Sequence, residues 1–231
     1  MLQRGLGVAP PEYAHAVPRA PRVKLPPSPE RLTPLQRARR DRVLDAALEL
    51  VAEGGYERVQ IRDVSDRAGV AAGTVYRYFS SKEHLVAAAV ERWTEGLTSR
   101  PRPSWPPGTP YSERLSEAIH ERALALQQYP HVAKALLFVR TSSDPFVIEC
   151  NKRNSHAVEQ TFSAALDGLD DELKAAVVRV LGAVWGTWLA EWVTGQASIT
   201  QVREAIVEAA HLVLDPVDAE RVQRPRIVRG S

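Results

Sequence analysis

GGYERVQIRDVSDRAGVAAGTVYRYFSSKEHL, residues 54–85, is the stretch that decides the fold. Ile61 to Ala68 is patterned as a two-turn helix, Gly69-Val70-Ala71 as a sharp turn, and Ala72 to Phe79 as a second short helix. Val64 and Ala68 before the turn, with Val70, Val75 and Phe79 after it, supply a small buried face. Gly69 supplies a residue that bends without a Cβ penalty. Gly73, Thr74, Tyr76, Arg77 and Tyr78 are left for the outside. A helix presented this way is narrow enough to enter a DNA major groove. On that reading Gly73 leaves room for a phosphate, and the hydroxyls of Thr74, Tyr76 and Tyr78 donate to phosphate oxygens. Arg77 faces a guanine edge, and Lys82 sets a charge beside the positive start of the next helix.

Working outward, Thr33-Pro34 reads as a helix cap followed by proline at the first helical position. Val43, Leu44, Ala47, Leu48 and Val51 form the apolar face of that helix, and Gly54-Gly55 stops it. Ser80 and Glu83, three apart, predict a capping box for a fourth helix that ends near Leu97. Five prolines between 101 and 110 make residues 99–110 a linker. Beyond it every segment has helical spacing: Tyr111 to Gln128, Pro130 to Arg140, Asp144 to Leu166, Asp170 to Thr194, and Ser198 to Leu214. Asp215-Pro216 is expected to end the last of these and leave a loose tail over 216–231. No strand alternation is visible, so the fold class is all-α. The organisation is a proline-rich arm (1–33), a helix-turn-helix domain with its connecting helix (34–98), the linker, and a helical domain for ligand and dimer contacts (111–215).

The formal charge of +2 excludes nothing, but its distribution is informative. Residues 34–98 hold ten Lys/Arg and ten Asp/Glu, so DNA binding there needs a basic face, not a basic domain. Arg37, Arg39 and Arg40, with Arg42, crowd the start of the first helix and are expected at phosphates. The arm before them either enters the minor groove or stays solvated. Cys150, the single cysteine, rules out an intramolecular disulfide. The greasiest run, Val180 to Ala190, is eleven residues long and too short for a bilayer, and no apolar leader segment is apparent. A cytoplasmic protein with no membrane partner is the expectation.

Gly73-Thr74-Val75-Tyr76-Arg77-Tyr78-Phe79, with Ser81-Lys82-Glu83, Leu85, Gly54-Gly55-Tyr56 and Ile61-Arg62-Asp63-Val64, resembles the signature of TetR-family transcriptional regulators. The resemblance covers residues 37 to 97 and implies a nine-helix subunit, with three helices for DNA and a C-terminal bundle for dimerisation and an effector. It implies phosphate contacts for Thr74, Tyr76, Tyr78 and Lys82, a backbone position for Arg62, and a place near base edges for Arg77. Gln60 and Ala71 depart from the usual capping residues, which weakens two caps by about 1 kcal/mol each at most.

In the C-terminal half, Ile199, Val202, Ile206, Ala209 and Val213 make a helical stripe. The helix before it, from Val177 to Trp192, is apolar almost all round. With Val184 and Trp192 these residues are expected at a homodimer interface built as a four-helix bundle; an ordinary core helix in a monomer is the competing reading. Gly182 and Gly186 allow close helix approach. The family implies an effector pocket, for which Leu126, Leu137, Phe138, Phe146, Cys150, Phe162, Trp185 and Trp188 are candidate walls and Asn151, Asn154 and His156 candidate polar orienters. The segment around Trp185, Trp188, Leu189 and Trp192 also resembles actinobacterial regulators of steroid catabolism, which points to a steroid-derived or acyl-CoA-like effector.

Glu117 and His120 have the i, i+3 spacing of a di-metal carboxylate site, but lack the further glutamates such a site needs, so no metal, cofactor or enzymatic activity is expected. The function expected is a repressor that leaves a palindromic double-stranded operator when a small apolar effector binds. A sibling regulator sensing antibiotics or xenobiotics, and a helical metal- or lipid-binding protein without DNA function, are the alternatives.

Overall fold

The computed structural model describes residues 26–99 and 104–223. Residues 1–25 of the proline-rich arm, the linker residues 100–103, and residues 224–231 at the end of the tail lie outside the described residues. The described residues form nine α-helices and no strand. These are α1 (Pro34–Arg58), α2 (Ile61–Ala68), α3 (Ala72–Tyr78), α4 (Lys82–Thr98), α5 (Tyr111–Gln128), α6 (Pro130–Arg140), α7 (Pro145–Ala165), α8 (Asp171–Val193) and α9 (Ile199–Gln223).

Local chemistry sets most boundaries. The Thr33 hydroxyl accepts from the Gln36 amide, and the Gln36 side chain accepts from the Thr33 amide, a reciprocal cap with Pro34 in the first turn. The regular helix of α1 breaks at Gly54 and Gly55, the latter at φ +72°, where only glycine is unstrained. Gly69 adopts the left-handed conformation at φ +64° and closes α2. Gln60 and Ala71 provide no side-chain cap.

The predicted Ser80–Glu83 box is not what caps α4. Ser81 takes the N-cap, accepting from the His84 amide, while Glu83 accepts from the hydroxyl of Ser142, which the fold brings beside it from the loop between α6 and α7. Ser80 instead donates its amide to His84 Nδ1.

Nor does Asp215-Pro216 end the last helix, since α9 runs through Pro216 to Gln223. Proline removes one backbone hydrogen bond, but the turn that follows is anchored. The Asp218 carboxylate accepts from the Tyr111 and Ser112 amides and the Ser112 hydroxyl, capping α5 at its positive end. Arg221 lies 4.8 Å over the Tyr111 ring. These contacts offset the lost bond and order a segment expected to be loose.

Two cores share the molecule. The first joins α1 to α4 with Val132, Ala135 and Val139 of α6 and Val147 and Cys150 of α7, and it reaches back to Leu32. The second joins α5, the latter half of α7, α8 and α9. Every residue from His84 to Glu91 is buried, so this stretch of α4 is enclosed by α1, α6 and α7 and forms the shaft between the DNA-reading head, α1 to α4, and the helical body behind it. The covalent linker at 99–110 therefore does not coincide with the packing boundary, because α6 and the start of α7 pack on the head.

Candidate DNA-reading surface and effector cleft

On α3, Val75 is fully buried and Phe79 is 1% exposed, which turns Tyr76, 57% exposed, and Arg77 into solvent. Gly73 is exposed with nothing within 4 Å of where a Cβ would stand, so the helix start has a bare approach. Thr74 is half-buried, and its amide donates to Ala71 O. Tyr78 corrects the sequence reading. Placed among the outward residues by spacing, it is 4% exposed and meets Phe79 edge to face, because a seven-residue helix needs three inward positions to hold on to its neighbours.

Arg37, Arg39 and Arg62 are exposed, with Arg62 making only a loose i, i+4 pair with Asp66. Arg40 does not join them. Its guanidinium lies 5.4 Å from the centre of the Phe79 ring and burial lowers its pKa, with Glu91 the main charge opposing that shift. The position i+3 from Arg37 has rotated towards the core. Arg42 likewise turns to the protein and donates to Ala68 O at the end of α2.

Lys82 stands in the first turn of α4 with its ammonium 4.2 Å from the centre of the Tyr56 ring. Phe138 of α6 stacks on the same tyrosine at 4.0 Å. This corrects Phe138, expected in the effector pocket, to a surface stack joining body and head. Phe146 also leaves the pocket, stacking on His84 at 5.1 Å. His84 is thereby enclosed between Phe146 and Phe79, and burial pulls its imidazole from 6.5 down to about 4. Cys150 is 1% exposed in the first core, where burial pushes its thiol up to about 12.

A cleft of about 780 Å³ opens between α6, α7 and α8. Of the eleven expected pocket residues it gathers Asn151, Asn154 and Trp185. Asn151 Nδ2 donates to Val139 O, pinning the α6–α7 corner. Leu126 and Phe162 are buried in the second core, Phe162 edge to face with Trp185, while Leu137 and Trp188 pack on that core's edge. His156 is exposed, pairing with Gln160 and Glu159. The sequence reading missed Leu136, Val158, Val178 and Leu189 on the cleft walls and the cations Arg140, Lys152 and Arg179. The Arg140 guanidinium reaches α8 beside Gly186, 3.5 Å from where a Cβ would stand there, which is ordinary van der Waals contact.

Residues 43–89 match the model of bacterial regulatory proteins of the tetR family, and residues 108–213 match a tetracyclin repressor-like C-terminal domain. The chain is 36% identical over 184 residues to the HTH-type transcriptional repressor KstR of Rhodococcus jostii (strain RHA1), covering 78% of this chain and 84% of that protein. It is 32% identical over 185 residues to KstR of Mycobacterium tuberculosis (strain ATCC 25618 / H37Rv), with 80% and 84% covered. The chain belongs to the TetR family. The crystal structure of a TetR transcriptional regulator from Rhodococcus sp. RHA1 superposes with a TM-score of 0.65 at 27% identity, covering 78% of this chain and 97% of that one. The protein is thus a DNA-binding transcriptional repressor of the TetR type, with the all-α architecture the sequence implied.

On the expected dimer stripe, Val202 and Ile206 are fully buried within the single chain, so they have no surface left for a partner. Val184, Trp192, Ile199, Ala209 and Val213 are half-buried against the second core. The large hydrophobic side chains left exposed on α8 and α9 are Leu173, 37%, Val180, 52%, and Leu212, 75%. As a whole, α8 is long and apolar enough to span a bilayer by length and composition, which its eleven-residue run alone is not, yet only 28% of its most apolar window is buried. Glu117 is taken by the Trp105 indole and His120 faces Arg203, so the one metal-like pair is engaged elsewhere.

Proposed function

We propose that this TetR-type repressor acts in the cytoplasm as a homodimer, each subunit inserting α3 into one of two successive major grooves of a palindromic operator. The carrying observation is the division of α3, with Val75 and Tyr78 inside and Tyr76 and Arg77 outside. Arg77 reads a base edge, while Gly73, Thr74, Tyr76 and Lys82 seat on phosphates, joined by Arg37, Arg39 and Arg62. Residues 34–98 serve as the DNA module and residues 111–215 as the effector and dimer module.

Dimerisation covers the open faces of α8 and α9 around Val180 and Leu212, and Val184, Trp192, Ile199, Ala209 and Val213 border them. A helix as apolar as α8 with only 28% of its most apolar window buried is completed in water by a further apolar partner. The effector is a steroid-derived or acyl-CoA-like molecule held in the α6–α8 cleft, whose walls are Leu136, Val158, Val178, Trp185 and Leu189 and whose polar residues include Arg140, Lys152 and Arg179. It induces only by binding the DNA-incompetent conformer more tightly. The route runs through α6, which sends Leu136 and Arg140 to the cleft and Phe138 to Tyr56 and so to Lys82.

Fluorescence anisotropy with a palindrome from the region upstream of the repressor's own gene tests the reading. Binding should weaken linearly in log salt, as released counterions require. Salt-insensitive or absent binding overturns it. Val180→Asp with Leu212→Lys should yield monomers by analytical ultracentrifugation; an unchanged dimer sinks the interface.

A further inference from the structure

Ahead of α1, Pro29 to Arg31 make a single 3₁₀ turn, in which the Arg31 amide donates to Ser28 O and the Leu32 amide to Pro29 O. Leu32 and Thr33 are then extended, at ψ 137° and 159°, and carry the chain to the first residue of α1. Leu32 is 7% exposed and belongs to the first core, so this segment is packed on the molecule.

Pro29 and Glu30 border a cavity of about 280 Å³ together with Leu44 of α1, Glu95 of α4 and Arg153 of α7. Both α1 and α4 start at the DNA-reading end, where Arg37, Arg39 and Lys82 stand. At 1.5 Å per residue, Leu44 lies about 15 Å along α1 and Glu95 about 20 Å along α4 from that end. The chain therefore doubles back over α1 and reaches it from the side of the body. An arm rooted for the minor groove beside α3 has to leave α1 towards the DNA.

The charges on this seam match what lies over it. Arg40, Arg92 and Arg153 face the cavity with Glu91 and Glu95, and Glu30 evens the balance. The Ser28 hydroxyl holds the Glu30 carboxyl below its usual range, with smaller help from its own backbone and from the Arg153 charge. On the same cavity Arg153 grips Glu91, a pair that joins α7 to α4.

We propose that Ser28 to Leu32 is a strap that docks the N-terminal segment on the α1–α4 seam against α7, tying the DNA-reading head to the body, and that it is not the root of a minor-groove arm. Operator contacts accordingly begin at Arg37. The inference rests on the reading that α3 and Lys82 face DNA, because that sets which end of α1 is which.

Fluorescence anisotropy of the full chain on its operator across a range of salt, with thermal melts of the same variants, tests it. Arg31→Gln and Glu30→Lys should both leave the log–log salt slope unchanged. On a DNA arm, each cation removed or added at a phosphate moves that slope by about 0.9. Glu30→Lys should melt lower than the wild type, because it sets a further cation against Arg40, Arg92 and Arg153, and the deficit should shrink as salt is raised. Leu32→Ala should melt about 5–15 °C lower, the loss of a buried leucine in a chain of this size; Leu32→Val gives a smaller shift of the same sign if the alanine variant does not fold. A slope that falls with Arg31→Gln and rises with Glu30→Lys overturns the strap and assigns the segment to DNA. A Glu30→Lys chain that melts as the wild type does at low salt also overturns it. A wild type that binds no operator at any salt overturns the reading of α3 instead, while the melts still decide whether the segment is docked.

Discussion

The head reads outward and the effector domain reads inward, and the two differ in how much a sequence can say about them. In the head, α2 and α3 are eight and seven residues long, and a left-handed glycine fixes the angle between them. With so few positions, each residue is either the small core or the reading surface. In the body, α5, α7, α8 and α9 are 18 to 25 residues long, and α8 is apolar nearly all round. Such a helix has several faces that spacing cannot tell apart: its own core, a partner, or a ligand. Function on a short helix is a matter of local order, whereas function on a long apolar helix is decided by its neighbours.

The comparison breaks most severely if the head's few inward residues are not what hold it. Phe79, 1% exposed beneath α3, is the largest of those that are fully buried, and Phe79→Ala should cost about 3–5 kcal/mol and abolish operator binding. Urea denaturation monitored by circular dichroism measures it; a loss below about 1 kcal/mol means α3 is held by something else.

The joint between the two regions makes a smaller prediction with a definite sign. Unfolded chains protonate His84 near pH 6.5, but the folded chain does so only near 4. Between those values the unfolded state binds more protons, so stability is whole above pH 6.5 and declines as pH falls towards 4. About 2 kcal/mol should be gone by pH 5. Melts at pH 7 and pH 5 should differ by that much in the wild type, and His84→Gln should flatten the difference.

Next in size is the contrast within the reading surface. Arg77→Ala should lose about 1–3 kcal/mol of discrimination between the operator and altered sequences. Lys82→Ala should weaken all sequences alike and reduce the salt slope by about 1. Anisotropy across a set of operator variants separates the two, and identical profiles would remove the distinction between base and phosphate contacts. Smallest is Asp218→Ala, which uncaps α5 and should cost about 1 kcal/mol by thermal melting, with α9 fraying beyond Pro216.

Helix number, order and most boundaries were legible because caps, glycine turns and apolar spacing act within a few residues. The exceptions are instructive. Ser80 and Ser81 both satisfy the pattern of a cap, and Glu83 was claimed by Ser142, 59 positions away in sequence. Pro216 normally stops a helix, but Asp218 had a helix end to cap. Phe138 and Phe146 looked like pocket walls because an aromatic at helical spacing carries no label for which neighbour it will meet. Both went to the head, against Tyr56 and His84. Arg122 was in plain view between Ile119 and Leu126, yet only its burial shows that a charge is confined there.

Local order along the chain was enough to establish a helix-turn-helix, its outward Arg77 and Tyr76, and a helical domain behind it, since hydrogen bonding and side-chain periodicity operate over one or two turns. Only the assembled molecule could decide which side of each long helix meets solvent, core or cleft. That choice depends on packing between residues tens of positions apart, where burial of apolar area is non-directional and many partners are chemically equivalent.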